Sequence, residues 1–95
     1  MINSSQRATL KAMANSLEPI IYVGKGGITD NIIVQADEAL EARELVKGTV
    51  QQNSPVEAKE ALKILAEKTN AEEVLSSGRK FVLFRQRKKD PGIRI

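Results

Sequence analysis

Cysteine and histidine are both absent from the chain. Without cysteine there is no disulfide and no thiolate metal site. Without histidine the commonest general base and the commonest metal ligand are missing. A Ser-His-Asp triad, a Cys-His pair and a zinc site are excluded, and most enzyme classes go with them. Aromatic residues are scarce: Tyr22, Phe81 and Phe84 are all there are. The core must then be built from Ile, Leu, Val and Ala, and the three rings read as members of it rather than as stacking platforms. Long apolar runs are lacking too. A run such as Pro19 to Val23 falls far short of the ~20 residues that cross a bilayer. The first five residues show no charged region followed by an apolar stretch, so they do not read as a signal peptide. The expected location is the cytoplasm, with no membrane association, no metal and no cofactor.

What is present is enough for one small domain: 95 residues, 41% of them apolar, in periodic segments. Charge is uneven along it. Residues 79 to 95 hold seven basic side chains against Asp90, a local charge of +6, whereas residues 1 to 78 hold eight basic and eleven acidic ones, or −3. A positive end on an acidic domain suits a polyanionic partner, and it equally suits a solvated tail.

Local signals give seven elements. A first helix is expected after Ser4 or Ser5, with Leu10, Met13, Ala14 and Leu17 buried, Arg7, Lys11 and Asn15 on a polar ridge, and Pro19 as its end. Ile20 to Val23 reads as a buried strand. Thr29 can cap a second helix, apolar along Ile32, Ile33, Ala36, Ala39 and Leu40, with a solvated side at Asp37, Glu38, Glu41 and Glu44. Leu45 to Gln51 alternates as a half-buried strand. Ser54-Pro55-Val56-Glu57 has the form of a capping box that starts a third helix, buried along Ala58, Ala61, Leu62, Leu65 and Ala66. Residues 72 to 77 and 80 to 86 form a hairpin about Gly78. The order α-β-α-β-α-β-β predicts an α/β fold, a four-stranded mixed sheet with three helices packed on it. The domain is expected to span residues 1–86, with 87–95 a basic, flexible tail.

The segment with chemical content is Gly24-Lys25-Gly26-Gly27, set between a strand and a helix. Glycines permit positive φ and close approach of a ligand to the backbone. Amides of a first helical turn are unpaired, with the positive end of the helix dipole behind them, and Lys25 adds a mobile charge. Such a loop can hold a phosphate; it can also simply turn the chain. It is no P-loop, because Gly26 follows the lysine and Pro19 stands where that motif needs glycine. The dinucleotide fingerprint lacks its last glycine. Further cations that could extend a basic path, or merely face solvent, are Arg7 and Lys11 on the first helix, Lys47 on a strand, and Arg79, Lys80 and Arg85 near the hairpin. Arg87, Lys88 and Lys89 suit salt-dependent, non-specific attraction. Adjacent acids such as Asp37-Glu38 and Glu72-Glu73 have no partner set and read as solvated.

Four ordered blocks, Leu10 to Pro19, Val23 to Thr29, Ala39 to Lys47 and Gly78 to Arg85, resemble the CRM domain (chloroplast RNA splicing and ribosome maturation). The length is similar to that of the stand-alone bacterial YhbY-like members. The resemblance covers residues 5 to 86 and implies a fold similar to the C-terminal domain of translation initiation factor three. It implies a GxxG loop, here Gly24 to Gly27, that contacts RNA much as KH domains do, and binding of ribosomal RNA during assembly of the large (50S) subunit. The RNA contacts expected from loop and charge together are Gly24, Lys25, Gly26, Gly27, Thr29, Arg7, Lys11, Lys47, Arg79 and Arg85, on a monomer. Three positions depart from the family pattern: Asn15, where histidine is frequent; Gly48, where an aliphatic residue would strengthen the strand; and Ser76-Ser77, which predicts a short or irregular third strand. Two other readings stay open. One is an interaction module docking on a ribosomal protein through the acidic helix face or the tail. The other is a small phosphate-transfer or hydrolytic enzyme, for which no base or metal cluster is in place.

Overall fold

The sequence order of elements is reproduced in a computed structural model, which describes residues 2–94. Met1 and Ile95, the outer ends of the expected domain and tail, lie outside the described residues. The elements are α1 (Ser4–Ala14), β1 (Ile21–Val23), α2 (Asp30–Arg43), β2 (Leu45–Val50), α3 (Ala58–Thr69), β3 (Glu72–Ser77) and β4 (Lys80–Phe84). The four strands form one sheet in the order β1-β2-β4-β3. β1 runs parallel to β2, whereas β4 is antiparallel to both β2 and β3. The predicted mixed α/β architecture is therefore the observed one.

Each helix begins where a side chain or a turn satisfies its free amides. At α1 this is Asn3, one residue ahead of the expected serines. Its Oδ1 accepts from the Gln6 amide at 2.8 Å while Gln6 Oε1 accepts from the Asn3 amide at 2.9 Å, a reciprocal capping box. The helix ends at Ala14, well before Pro19, and its last carbonyl accepts from the Leu17 amide at 3.0 Å and from Lys47 Nζ at 3.2 Å. Leu17 thus follows the helix, and Met13 is 39% exposed rather than buried. At α3 the expected capping box does not form. The Ser54 hydroxyl instead closes on Val56, accepting from its amide and donating to its carbonyl. Helix α3 starts only at Ala58, with Glu57 as a cap that makes no side-chain bond.

Strand alternation sends side chains to two cores. Ile21, Val23, Val46, Val50, Phe81 and Leu83 meet Ala36 and Leu40 of α2 and the Ala58, Ala61, Leu62, Leu65 and Ala66 stripe of α3. On the opposite face, Leu45, Val74, Val82 and Phe84 meet Leu10 and Ala14 of α1. The molecule has three layers, with α2 and α3 on one face and α1 alone on the other. Phe81 is fully buried because Gly48, directly across the β2–β4 pair, leaves room for it: a Cβ there would run into its ring. Gly48 is accordingly a packing requirement, not the weak point the resemblance suggests. β3 keeps six residues but slips register between Glu73 and Leu75.

The acidic side of α2 also differs from expectation. Glu44 closes the helix with φ 68° and is 2% exposed, not solvated. Its carboxylate accepts from the amides of Arg87 at 3.0 Å, Gly92 at 2.8 Å and Ile93 at 2.8 Å. Burial raises such a pKa, but those three amides and the Arg87 guanidinium outweigh burial and hold the group below its ordinary range. Gln86 and residues 87–93, the latter within the expected 87–95 tail, make their hydrogen bonds against this end of α2 and to one another.

Candidate nucleic-acid interface

One end of the sheet gathers three connections, because β1 and β2 finish there and the β3–β4 turn begins β4 there. Main-chain bonds knit them together. The Gln51 amide donates to the Val23 carbonyl at 2.7 Å and the Val50 amide to the Arg79 carbonyl at 2.8 Å. The Gly24–Gly27 loop is therefore seated beside the 51–56 connection, at the same end of the sheet as the Gly78-Arg79 turn. It is a tight turn, closed by the Gly27 amide on the Gly24 carbonyl at 3.0 Å.

The glycines of that loop do different things. Gly27 alone has positive φ, 70°, and is buried, with Pro55 against it. It shapes the turn. Lys25 and Gly26 form the exposed crest. Thr29 caps α2: its hydroxyl oxygen accepts from the Ile32 amide at 3.2 Å and its carbonyl from the Ile33 amide at 3.1 Å. Of the first-turn amides only that of Ile32 is taken by the cap, since the Ile33 amide makes the first regular helical bond, and Asp30 in the first turn offsets the positive helix end. Within residues 24–30 Lys25 is the one cation, set against Asp30.

Two cations join Lys25 at this end. Arg79 sits in the β3–β4 turn, Lys80 opens β4, and both are exposed. None of the three has an ion-pair partner among the described residues. Lys80, which the sequence groups with Arg79 and Arg85 among the hairpin cations, comes to the same end of the sheet as the loop through the Thr49–Lys80 register, which sequence does not specify.

The remaining expected contacts lie elsewhere or are engaged within the fold. Arg85 stands five residues beyond Lys80, about 16 Å along an extended strand. Its guanidinium donates to Asp37 Oδ1 at 2.7 Å, the Thr69 carbonyl at 2.7 Å and the Asp37 carbonyl at 3.1 Å. It ties β4 to α2 and α3. Arg7 Nε donates to the Glu73 carbonyl at 3.3 Å, on the opposite edge strand from β1. The Lys47 head group closes the end of α1, as above. Lys11 is exposed on α1.

Tyr22 corrects the reading of all aromatics as core. Phe81 and Phe84 are buried, but Tyr22 is 53% exposed. Its strand is only three residues long and buries Ile21 and Val23, so alternation turns the middle residue to the other face. α1 covers that face over β2, β3 and β4, and Tyr22 on the edge strand stays open. Strict alternation over Ile21-Tyr22-Val23 was the signal available in the sequence.

Among the described residues no group of three or more Asp or Glu side chains could hold a metal ion. No helix is long and apolar enough to cross a membrane.

Residues 2–85 match the family model described as the CRS1 / YhbY (CRM) domain. Over its full length the chain is 37% identical to the probable RNA-binding protein YqeI of Bacillus subtilis, covering 99% of that relative. It is 26% identical over 84 residues to a protein of Haemophilus influenzae named as an RNA-binding protein, covering 88% of this chain and 85% of the relative. The solution structure of a hypothetical protein from Staphylococcus aureus superposes with a TM-score of 0.83 at 38% identity, covering 100% of this chain and 99% of that one.

Proposed function

Because the chain belongs to the CRS1/YhbY (CRM) domain family, we propose that it is a non-catalytic RNA-binding protein that holds the sugar-phosphate backbone at the end of the sheet bearing Lys25. The observation that carries this reading is the convergence there of Lys25, Arg79 and Lys80 without ion-pair partners among the described residues. The relatives named for RNA binding support the same partner. Lys25 and Gly26 approach the phosphates, while Gly24, Gly27 and Thr29 shape the loop that presents them. The RNA is that of the large ribosomal subunit precursor, met during assembly in the cytoplasm by a monomeric protein.

Docking on a ribosomal protein through the acidic face of α2 is the weaker alternative. Arg85 pairs with Asp37, the Lys88 amide donates to Glu41, and the C-terminal segment takes up Glu44, so three of the four acids of that face already have partners within the fold.

The test is binding of large-subunit RNA fragments by the intact protein and by a Lys25→Glu/Gly26→Asp variant. Gly26 has ordinary φ and is exposed, and an added Cβ would meet only the Thr29 methyl, so the variant is expected to fold, which circular dichroism checks. Loss of most of the affinity in a folded variant supports the loop as contact. Equal binding makes the loop structural, and no binding by either protein ends the RNA reading. Co-sedimentation of the protein with large-subunit precursors, rather than with mature subunits, tests the assembly role.

A further inference from the structure

Beside the basic loop runs a row of side chains that α1 leaves uncovered. Tyr22 pairs with Thr49, Thr49 with Lys80, and Lys80 with Ser77, so these four residues from all four strands point to one face. The next row, Lys47 and Val82 with Leu75, is already under α1 or beside its end. The open row borders a hollow of about 950 Å³ lined by Tyr22, Thr49, Gln51, Gln52, Arg79 and Lys80 among others. A smaller hollow of about 210 Å³ continues from it past Asn15, Lys47, Ser77 and Lys80. No carboxylate lines either one.

Tyr22 is unusual within that row. Its ring is half exposed on an edge strand, and its hydroxyl donates to the Pro19 carbonyl at 3.0 Å. That bond fixes the ring against its own chain, so little rotamer freedom is left to lose when something stacks on it. Cations stand on the loop side and along the row, and amide side chains offer both donors and acceptors. A flat aromatic face flanked by positive charge and free of acids suits a nucleobase whose phosphates lie on the lysines.

We propose that Tyr22 is a stacking platform for an unpaired RNA base, with Lys80 and Arg79 placed for the phosphates on either side. This rests on the RNA-binding reading above and adds a preference to it. A base inside a duplex has both faces covered by its neighbours, so only a single-stranded or bulged nucleotide can use the ring.

The chain has one tyrosine and no tryptophan, so its intrinsic emission reports Tyr22 alone. A single-stranded RNA oligonucleotide of mixed sequence is titrated into the intact protein while tyrosine emission and the anisotropy of end-labelled RNA are followed together. The expected result is quenching that tracks binding, with much less quenching when the same strand is bound as a duplex. Tyr22→Leu, an exposed and conservative change for the fold, should bind the single strand about tenfold more weakly at equal salt, and Tyr22→Phe within about twofold of the intact protein. The dependence on salt should be unchanged in both, because no charge is removed. RNA bound by anisotropy with unchanged emission, equal quenching by the duplex, or full affinity in Tyr22→Leu would each overturn the platform while leaving RNA binding intact. Absence of any RNA binding would end both readings.

Discussion

At the scale of single residues, neighbouring glycines in one loop have opposite tolerances. Gly27 sits at φ 70° with Pro55 Cγ 3.3 Å from where a Cβ would stand, whereas Gly26 has ordinary φ and meets only a Thr29 methyl at 3.3 Å. Gly27→Ala is expected to lose about 1–2 kcal/mol of stability, the cost of a left-handed L-residue. Gly26→Ala should stay within ~0.5 kcal/mol of the parent, as surface substitutions usually do. Urea denaturation of the two variants checks this; equal losses would show that the turn is not what Gly27 supplies. The GxxG spacing was plain in the sequence, but which glycine turns the chain and which is exposed depended on φ and on Pro55, 28 residues further along the chain beyond α2 and β2.

At the scale of elements, the sequence located all seven, because apolar periodicity and β-branched runs are local properties. Their ends were less legible. Lys47 reaches the last carbonyl of α1 from a strand 33 residues away, and Ser54 closes a turn on Val56 instead of capping α3. Charge roles were the least legible. Arg7, Arg85 and Lys80 look alike as exposed cations in sequence, yet register places Lys80 at the loop end of the sheet and sends Arg85 to the far end of β4. Arg85, 19% exposed in its side chain, bridges α2 and α3 to β4. Arg85→Ala is therefore expected to cost on the order of 2 kcal/mol of stability, the range for hydrogen bonds to charged groups. RNA affinity of the folded variant should be unchanged. Thermal unfolding and RNA titration of the same preparation separate the two, and an intact melting point with lost affinity would return Arg85 to the interface.

At the scale of the whole molecule, the cations divide between two jobs. Arg85 and the 87–93 segment answer the acids of α2, and Lys25, Arg79 and Lys80 at the other end stay unpaired among the described residues. The two halves should respond differently to pH. The Glu44 carboxylate has a folded-state pKa below its ordinary 4.5. Its contribution is thus complete above that ordinary value and is lost as pH falls through the lower, folded-state value. Between pH 7 and 5 the Gly92 and Ile93 amide chemical shifts should hold steady, and only once the pH has fallen past the ordinary 4.5 should they move toward random-coil positions as the carboxylate takes up a proton. Glu44→Gln should show displaced shifts for these amides already at pH 7. Shifts that ignore both pH and the substitution would mean that the segment is held by something other than this carboxylate.

The central claim, that the unpaired cations at the loop end of the sheet hold RNA phosphates, is tested most directly by the salt dependence of binding. Neutralising Lys25, Arg79 and Lys80 together to glutamine should flatten the slope of log affinity against log salt by about 2, since each phosphate contact on a single strand contributes roughly 0.7. Neutralising Lys63 and Lys68, exposed on α3, should leave the slope as it was. A triple variant with the parent's slope, or a control that flattens as much, would contradict the account and move the phosphate contacts elsewhere on the surface.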